Sequence, residues 1–397
     1  MGAALPLFAA AGAWAVGATI AVVVGVALAG GTGDLGSQAD ELLKAQLKKM
    51  GEGYSGFVDR ERHIVYVSAL DEEHFRQTRE LIASYADAQR KTLLETPFPW
   101  NLTILLPTVE DNKRLVAGHI GNRDPNKPNT RDGNQTLIGL YEPAGHKLTA
   151  LDRGGVLLHE FTHALHHADQ VAAGQTHPPW VTEGFATLFE SSLITASGLE
   201  PNTDLRLYWL QNAIRTKKTV PLETLFKMGQ KAFMVQAEAA YAQSRYVMLY
   251  LHQKGRLREW YKRYKQTFAE DPSGVKALEA VLNGNLPAIE KDWLEWAAAL
   301  KPPPLPRRSE KTRLGLEVQD DPAGVKVVGL VDGGAAKQAG RILLGDVLQE
   351  FNGQKTANIA EFVAAAKAAG PMQTVKVKLL RRGQPMTVLQ PLDSSAG

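Results

Sequence analysis

The chain has 397 residues, enough for two or three folding units with a core each. Its 44% hydrophobic and 22% charged residues exclude widespread disorder, and a net charge of only +3 argues against a nucleic-acid partner. With no cysteine there are no disulfides or thiolate ligands, so any metal must be held by His and carboxylates.

The first element is apolar. Residues 1–33 carry no charged side chain, and residues 13–29 are almost wholly apolar, long enough for a bilayer that takes about 20 residues to cross. Two readings compete. A cleaved signal peptide is supported by Ala27-Leu28-Ala29, a small-x-small cleavage pattern. An uncleaved anchor is supported by the length of the run and the missing basic start. The anchor is favoured, so the expectation is a single transmembrane helix at the cell membrane with an extracytoplasmic (periplasmic) remainder. Cleavage would make the chain secreted or periplasmic.

Residues 34–59 read as a linker, and a first domain is expected over residues 60–300. Residues 63–69 alternate like a strand, 72–94 carry a helical pattern, and 101–106 form a second strand. Residues 109–117 read as a short helix and 118–135, rich in Gly, Asn, Asp and Pro, as a loop. A third strand is expected over 136–141. A helix follows in which Val156, Leu157, Leu158, Phe161, Ala164 and Leu165 are apolar and Asp152 is the expected cap.

That helix carries His159-Glu160-Phe161-Thr162-His163. Residues four apart share a helix face, so His159 and His163 can grip one metal ion, and Glu160 can reach a water on that ion without ligating it. A catalytic zinc takes three protein ligands, and Glu183 is the best candidate for the third. It follows Pro178-Pro179, lies in Trp180-Val181-Thr182-Glu183-Gly184-Phe185-Ala186, and is separated from His163 by nineteen residues. His166 and His167 could flank the site and His119 and His177 could line a groove, although such residues are more often solvated or satisfied in a core.

HExxH followed at this distance by W-x-x-E-G-x-A-x-x-x-E resembles the gluzincins, the metallopeptidase class of thermolysin and the zinc aminopeptidases. The resemblance implies one zinc ion per chain on His159, His163 and Glu183. It also implies Glu160 as general base and Glu190 as a carboxylate behind the ligands. Over roughly residues 60–300 the chain is similar to small bacterial gluzincin-like domains, with a small sheet, the HExxH helix and a helical C-terminal subdomain. Beyond Glu190 the pattern reads as all-helical. Gluzincins often set a Tyr or His opposite the zinc to stabilise the oxyanion. Tyr241 is the first candidate, with Tyr246 and His252 behind it.

Residues 301–310 contain Pro302-Pro303-Pro304 and read as a stiff linker. Short strands and turns follow, with Ala339-Gly340 leading to Gly345-Asp346-Val347-Leu348 and Asn352-Gly353. Residues 311–391 resemble a bacterial PDZ domain of secreted and membrane proteases. The resemblance implies that a C-terminal peptide adds to a sheet edge, its carboxylate held by the loop Leu314-Gly315-Leu316. A PDZ that only packs on the first domain is the alternative.

The fold class expected is therefore α+β, a gluzincin-like domain followed by a β-rich PDZ domain. The function expected is a membrane-tethered or exported zinc peptidase, an endopeptidase because no amine-anchoring motif is visible, acting on peptide or protein substrates that the PDZ domain recruits. An inactive scaffold working through the PDZ domain is the second reading. An intramembrane metalloprotease is excluded, because Asp152-Arg153 and Asp169 bound the HExxH segment far short of the roughly 18 apolar residues of a span.

Overall fold

The structure is a computed structural model that describes residues 34–108, 111–112, 114–115, 139–151, 153–303, 314–331, 334–369, 374–381 and 383–392. The chain divides into two compact units between Pro303 and Pro304.

The first unit begins with helix α1 (Leu35–Met50), capped by Asp34, and strand β1 (Ser55–Asp59). Residues 34–59 are thus ordered secondary structure rather than the expected linker. Strand β2 (Ile64–Ser68) is buried at every position. Helix α2 (Glu72–Thr92) starts at Asp71, whose carboxylate accepts from the His74 N–H at 3.0 Å. Glu72 and Glu73 in its first turn and Arg90 and Lys91 in its last complement the helix dipole. Strand β3 (Leu102–Leu106), the hairpin of β4 (Gly139–Glu142) and β5 (Lys147–Ala150), and the HExxH helix α3 (Gly155–Ala173) follow.

These strands form one sheet in the order β1-β2-β3-β5-β4. The β2–β3 and β3–β5 pairs are parallel, whereas β4 runs antiparallel to β5 with Tyr141 opposite Leu148 and lies at the sheet edge. Of the strand expected over 136–141, residues 139–141 lie in β4, and 136–138 are outside the described residues. The helix expected over 109–117, the loop over 118–135 and Asp152 also lie wholly or largely outside them. The N-cap of α3 is Gly154, with no side-chain cap bond.

After α3 come α4 (Pro179–Phe189), α5 (Arg206–Arg215), α6 (Leu222–Phe226), α7 (Gln230–Val235), α8 (Ala237–Gln253), α9 (Leu257–Thr267), α10 (Val275–Leu282) and α11 (Leu286–Ala299). The hairpin of β6 (Leu193–Thr195) and β7 (Gly198–Glu200) interrupts the all-helical stretch expected beyond Glu190. Its Gly198 has φ +132°, a backbone state the hydrophobic pattern does not advertise. Pro179 starts α4, where a missing N–H costs nothing. Trp180 anchors this helix, its indole donating to Ser273 O at 3.0 Å and its ring 4.2 Å from Phe226. Gly184 lets α4 approach α8, since a β-carbon there would stand 3.0 Å from Met248 Cγ and 3.3 Å from Ser244 O.

The second unit contains β8 (Leu316–Asp321), β9 (Gly324–Leu330), α12 (Ala335–Ala339), β10 (Val347–Phe351), β11 (Gln354–Lys355), α13 (Ile359–Ala368), β12 (Thr374–Arg381) and β13 (Gln384–Pro391). Its sheet runs β13-β12-β10-β9-β8 with β11 on β10, leaving β8 at an edge. Its own core includes Leu314, Leu316, Val325, Leu348, Phe351 and Phe362. The protein is thus an α+β chain, with a helix-rich region that holds the His/Glu motif and a β-rich region after it.

The expected transmembrane helix and single-pass membrane placement need correction. Among the described residues no helix is long and apolar enough to cross a membrane. The apolar segment on which that expectation stood lies outside the described residues.

Candidate metal centre

Helix α3 presents two faces at the site. His159 and His163, one turn apart, project toward α4, while Glu160 projects toward the edge strand β4. Hydrophobic packing of the remaining positions fixes this orientation: Leu157, Phe161 and Ala164 are fully buried in the core. Thr162 adds a polar pin, its Oγ1 lying 2.6 Å from the Tyr85 hydroxyl of α2.

Three ligand atoms converge. His159 Nε2 and His163 Nε2 are 3.1 Å apart, and Glu183 Oε2 lies 3.4 Å from the first and 3.3 Å from the second. A cation bonded tetrahedrally at about 2.05 Å would place its ligand atoms about 3.3 Å apart. The triangle therefore has the size that zinc requires. Glu183 is 1% exposed, and its Oε2 is a buried oxygen with no hydrogen-bond partner, aimed at the two rings. An anionic oxygen with no donor in such a place is costly unless a cation compensates it. The three side chains are the one group of three or more potential ligands among the described residues.

Burial works against the charge of Glu183, yet His163 and His159 outweigh it and hold the carboxyl at about 2. Burial likewise disfavours a charged His159, but the carboxylates of Glu183 and Glu190 beside the ring outweigh it and draw positive charge to this place. Glu190, the C-cap of α4, places Oε2 2.7 Å from His159 Nδ1. Its carboxyl is also held at about 2, burial being overcome by Arg206 and by His159. A carboxylate on Nδ1 fixes the tautomer and leaves Nε2 as the free lone pair.

Glu160 is almost fully buried, close enough to His159, His163 and Glu183 for their charges to act on it. Its Oε2 accepts from the Tyr141 N–H of β4 at 2.8 Å. Burial pushes its carboxyl above the ordinary range, against the pull of His159 and His163. A carboxylate with raised proton affinity beside a metal site suits a proton acceptor. Tyr241, near the start of α8, comes close enough to Glu183 and Glu160 that their charges add to burial in raising its phenol well above the usual value. Its hydroxyl also lies 4.0 Å from Met234 Sδ.

The other candidates go elsewhere. Tyr246 turns its hydroxyl to Asp204, and His252 lies 3.5 Å from Glu200. His166 and His177 bond each other at 2.8 Å inside the core, and His167 accepts or donates at the Tyr141 hydroxyl, 2.8 Å away. His119 lies outside the described residues.

Three contributors escaped the sequence reading. The first is the Tyr141 amide, a backbone group that only strand placement reveals. The second is Gly139, where a β-carbon would stand 2.3 Å from Val156 Cγ1 and 3.1 Å from Glu160 Cγ. An isolated glycine in a strand pattern is a signal of close approach, and it was available. The third is Arg206, which donates to Glu190 Oε1 at 2.6 Å.

In the second unit, Gly315 has φ +63°, and a β-carbon there would lie 2.6 Å from Gly334 Cα. The glycine is thus required by backbone conformation and by contact with Gly334. Leu314 and Leu316 on either side are buried, and the Gly315 carbonyl accepts from the Val331 N–H at 2.8 Å.

The family model of the PDZ domain matches residues 312–389. Among solved structures the chain is similar to an aminopeptidase N family protein from Idiomarina loihiensis, at 15% identity and a TM-score of 0.35, over 86% of this chain and 67% of that one. It is also similar to the serine endoprotease from Yersinia pestis, at 24% identity and a TM-score of 0.18, over 27% of this chain and 35% of that one. No curated protein matches. The buried His159, His163 and Glu183 could hold a single zinc ion, as in gluzincin metallopeptidases, and this chain joins them to a PDZ domain.

Proposed function

We propose that the chain is a zinc-dependent endopeptidase whose PDZ domain recruits substrate or partner C-termini. The observation that carries the reading is the 3.1–3.4 Å triangle of buried ligand atoms with Glu160 beside it. His159, His163 and Glu183 would hold zinc, which when bound polarises the scissile carbonyl and acidifies a water. Glu160 takes the proton of the attacking water on its carboxylate and delivers it to the leaving amine. Tyr241, kept protonated by its surroundings, donates to the carbonyl oxygen as negative charge grows there. Glu190 holds the His159 ring through Nδ1. The outer edge of β4 offers backbone groups to an extended peptide, which would add as a further strand. In the second unit, the free edge of β8 beside Leu314-Gly315-Leu316 is suited to a C-terminal peptide in the same way.

Cleavage of a peptide library by the full chain, with and without a chelator, tests this reading. Cleavage inside the peptides that chelator abolishes and zinc restores is expected. One observation favours a second reading, a scaffold that binds peptides and cuts nothing: the family match falls on the PDZ domain alone. Library peptides retained through their C-termini but never cut, with zinc present, would establish it.

A further inference from the structure

Behind the ligand His159, Glu190 continues into a chain of charged side chains that the proposed mechanism does not use. Glu190 gives one oxygen to His159 Nδ1 and the other, Oε1, to Arg206, at 2.7 and 2.6 Å. Arg206 also donates to Asp204 Oδ2, and its own backbone N–H donates to Asp204 Oδ1 at 3.0 Å. Asp204 in turn is held from α8. The Arg245 guanidinium pairs with it at 3.1 Å, and the Tyr246 hydroxyl donates to Oδ1 at 3.2 Å. Arg245 is itself fully buried and donates to the carbonyls of Thr187 and Asn202. Two acids and two guanidinium groups thus alternate from α8 to the metal ligand.

We propose that Arg206 is a positioning residue for the metal centre, holding the Glu190 carboxylate so that His159 Nε2 points at His163 and Glu183. The inference rests on the zinc reading above. A surface ion pair would contribute little, but Glu190 is only 6% exposed and has one oxygen for each partner. The start of Arg206 is also fixed, since its backbone N–H is tied to the same Asp204 that its side chain meets. Without the guanidinium, Oε1 loses its donor in a buried place, and the Asp204 carboxylate nearby repels it. The carboxylate then turns, and the ring it orients turns with it. Arg206 touches neither ligand nor substrate and acts only through Glu190.

The test is the zinc dissociation constant of the full chain, measured by competition with a chromophoric chelator, for wild type, Arg206→Met and Arg206→Lys. Arg206→Met is expected to bind zinc about 10–100-fold more weakly, the usual loss when an outer partner of a ligand is removed. Arg206→Lys keeps the charge but not the planar fork, and should fall between the two. The rise in Tm on adding zinc should shrink in Arg206→Met, because ligand-induced stabilisation follows affinity. A merely structural role would lower Tm equally with and without zinc and leave the dissociation constant alone. An affinity within about twofold of wild type, or a tighter one, overturns the proposal. If Arg206→Met does not fold, Arg206→Lys decides, and wild-type affinity in that variant is the overturning result. Wild type that binds no zinc would instead overturn the metal reading itself.

Discussion

Gly139→Ala should crowd the contact between strand β4 and helix α3. The added methyl would stand 2.3 Å from Val156 Cγ1 and 3.1 Å from Glu160 Cγ, where carbon atoms prefer about 3.5–4.0 Å. Val156 is buried and β-branched on a helix, so it has almost no other rotamer to adopt. Strand β4 must therefore move off helix α3 by roughly 1 Å, the overpacking costing about 1–3 kcal/mol of stability. The same movement stretches the 2.8 Å bond from the Tyr141 N–H to Glu160 past hydrogen-bonding range. Misplacement of a catalytic group by about 1 Å can lower the rate on the order of 100-fold. His159, His163 and Glu183 stand on α3 and α4, so zinc content should stay unchanged. Denaturant unfolding, metal analysis and kcat/KM on a cleaved peptide read the three effects. Val156→Ala in the same chain removes the clashing methyl and should restore most of the rate. Full activity in Gly139→Ala, or no recovery in the double variant, would refute the packing argument.

Burial of His177 pushes its ring down from 6.5 to about 3. A histidine depressed in the folded state contributes stability that is complete above its unfolded value and is lost as pH falls below it. Between pH 7 and about pH 5 the loss is about 2 kcal/mol, so the stability gap between wild type and His177→Asn should narrow by that much in unfolding titrations. A constant gap would contradict it. Gly315→Ala must place a side chain at φ +63° against Gly334, costing about 1–2 kcal/mol from backbone strain alone. It should abolish capture of C-terminal peptides, read by fluorescence anisotropy, and leave zinc content intact; unaltered capture would contradict the loop assignment. Deleting residues 307–397 should raise KM for long substrates and leave kcat on short peptides intact, because tethering raises local concentration without altering chemistry. Equal loss on both substrate classes would mean that the PDZ domain recruits nothing.

The metal ligands were legible because their chemistry needs fixed spacings. His159 and His163 share a helix face by periodicity alone, and the Pro178-Pro179 start with Glu183-Gly184 behind it announces a second helix. The strands at 63–69 and 101–106 were likewise visible, since their apolar runs serve a doubly covered sheet. Residues 35–50 were not recognised as a helix because the stretch is rich in charge and only Ala39 in it is buried. Arg206 stood in Leu205-Arg206-Leu207-Tyr208, which reads as an ordinary amphipathic helix. Its value lies in a contact with Glu190 across sixteen positions that no local pattern encodes. Tyr241 ranks first of the three oxyanion candidates by resemblance, but only α8 shows it close to Glu183 while Tyr246 turns to Asp204, and the strand order that puts β4 at the edge follows from pairing rather than from any single segment.

In the proposed mechanism Glu160 acts on water beside a zinc ion held by His159, His163 and Glu183. The most direct measurement is turnover of a cleavable peptide by zinc-loaded Glu160→Gln, its metal content determined on the same sample. The amide keeps the size and position of the side chain but cannot accept a proton. About one zinc per chain is expected, as in wild type, with turnover reduced by a factor on the order of 100–10,000. Undiminished turnover in that sample would remove Glu160 from its role and contradict the mechanism.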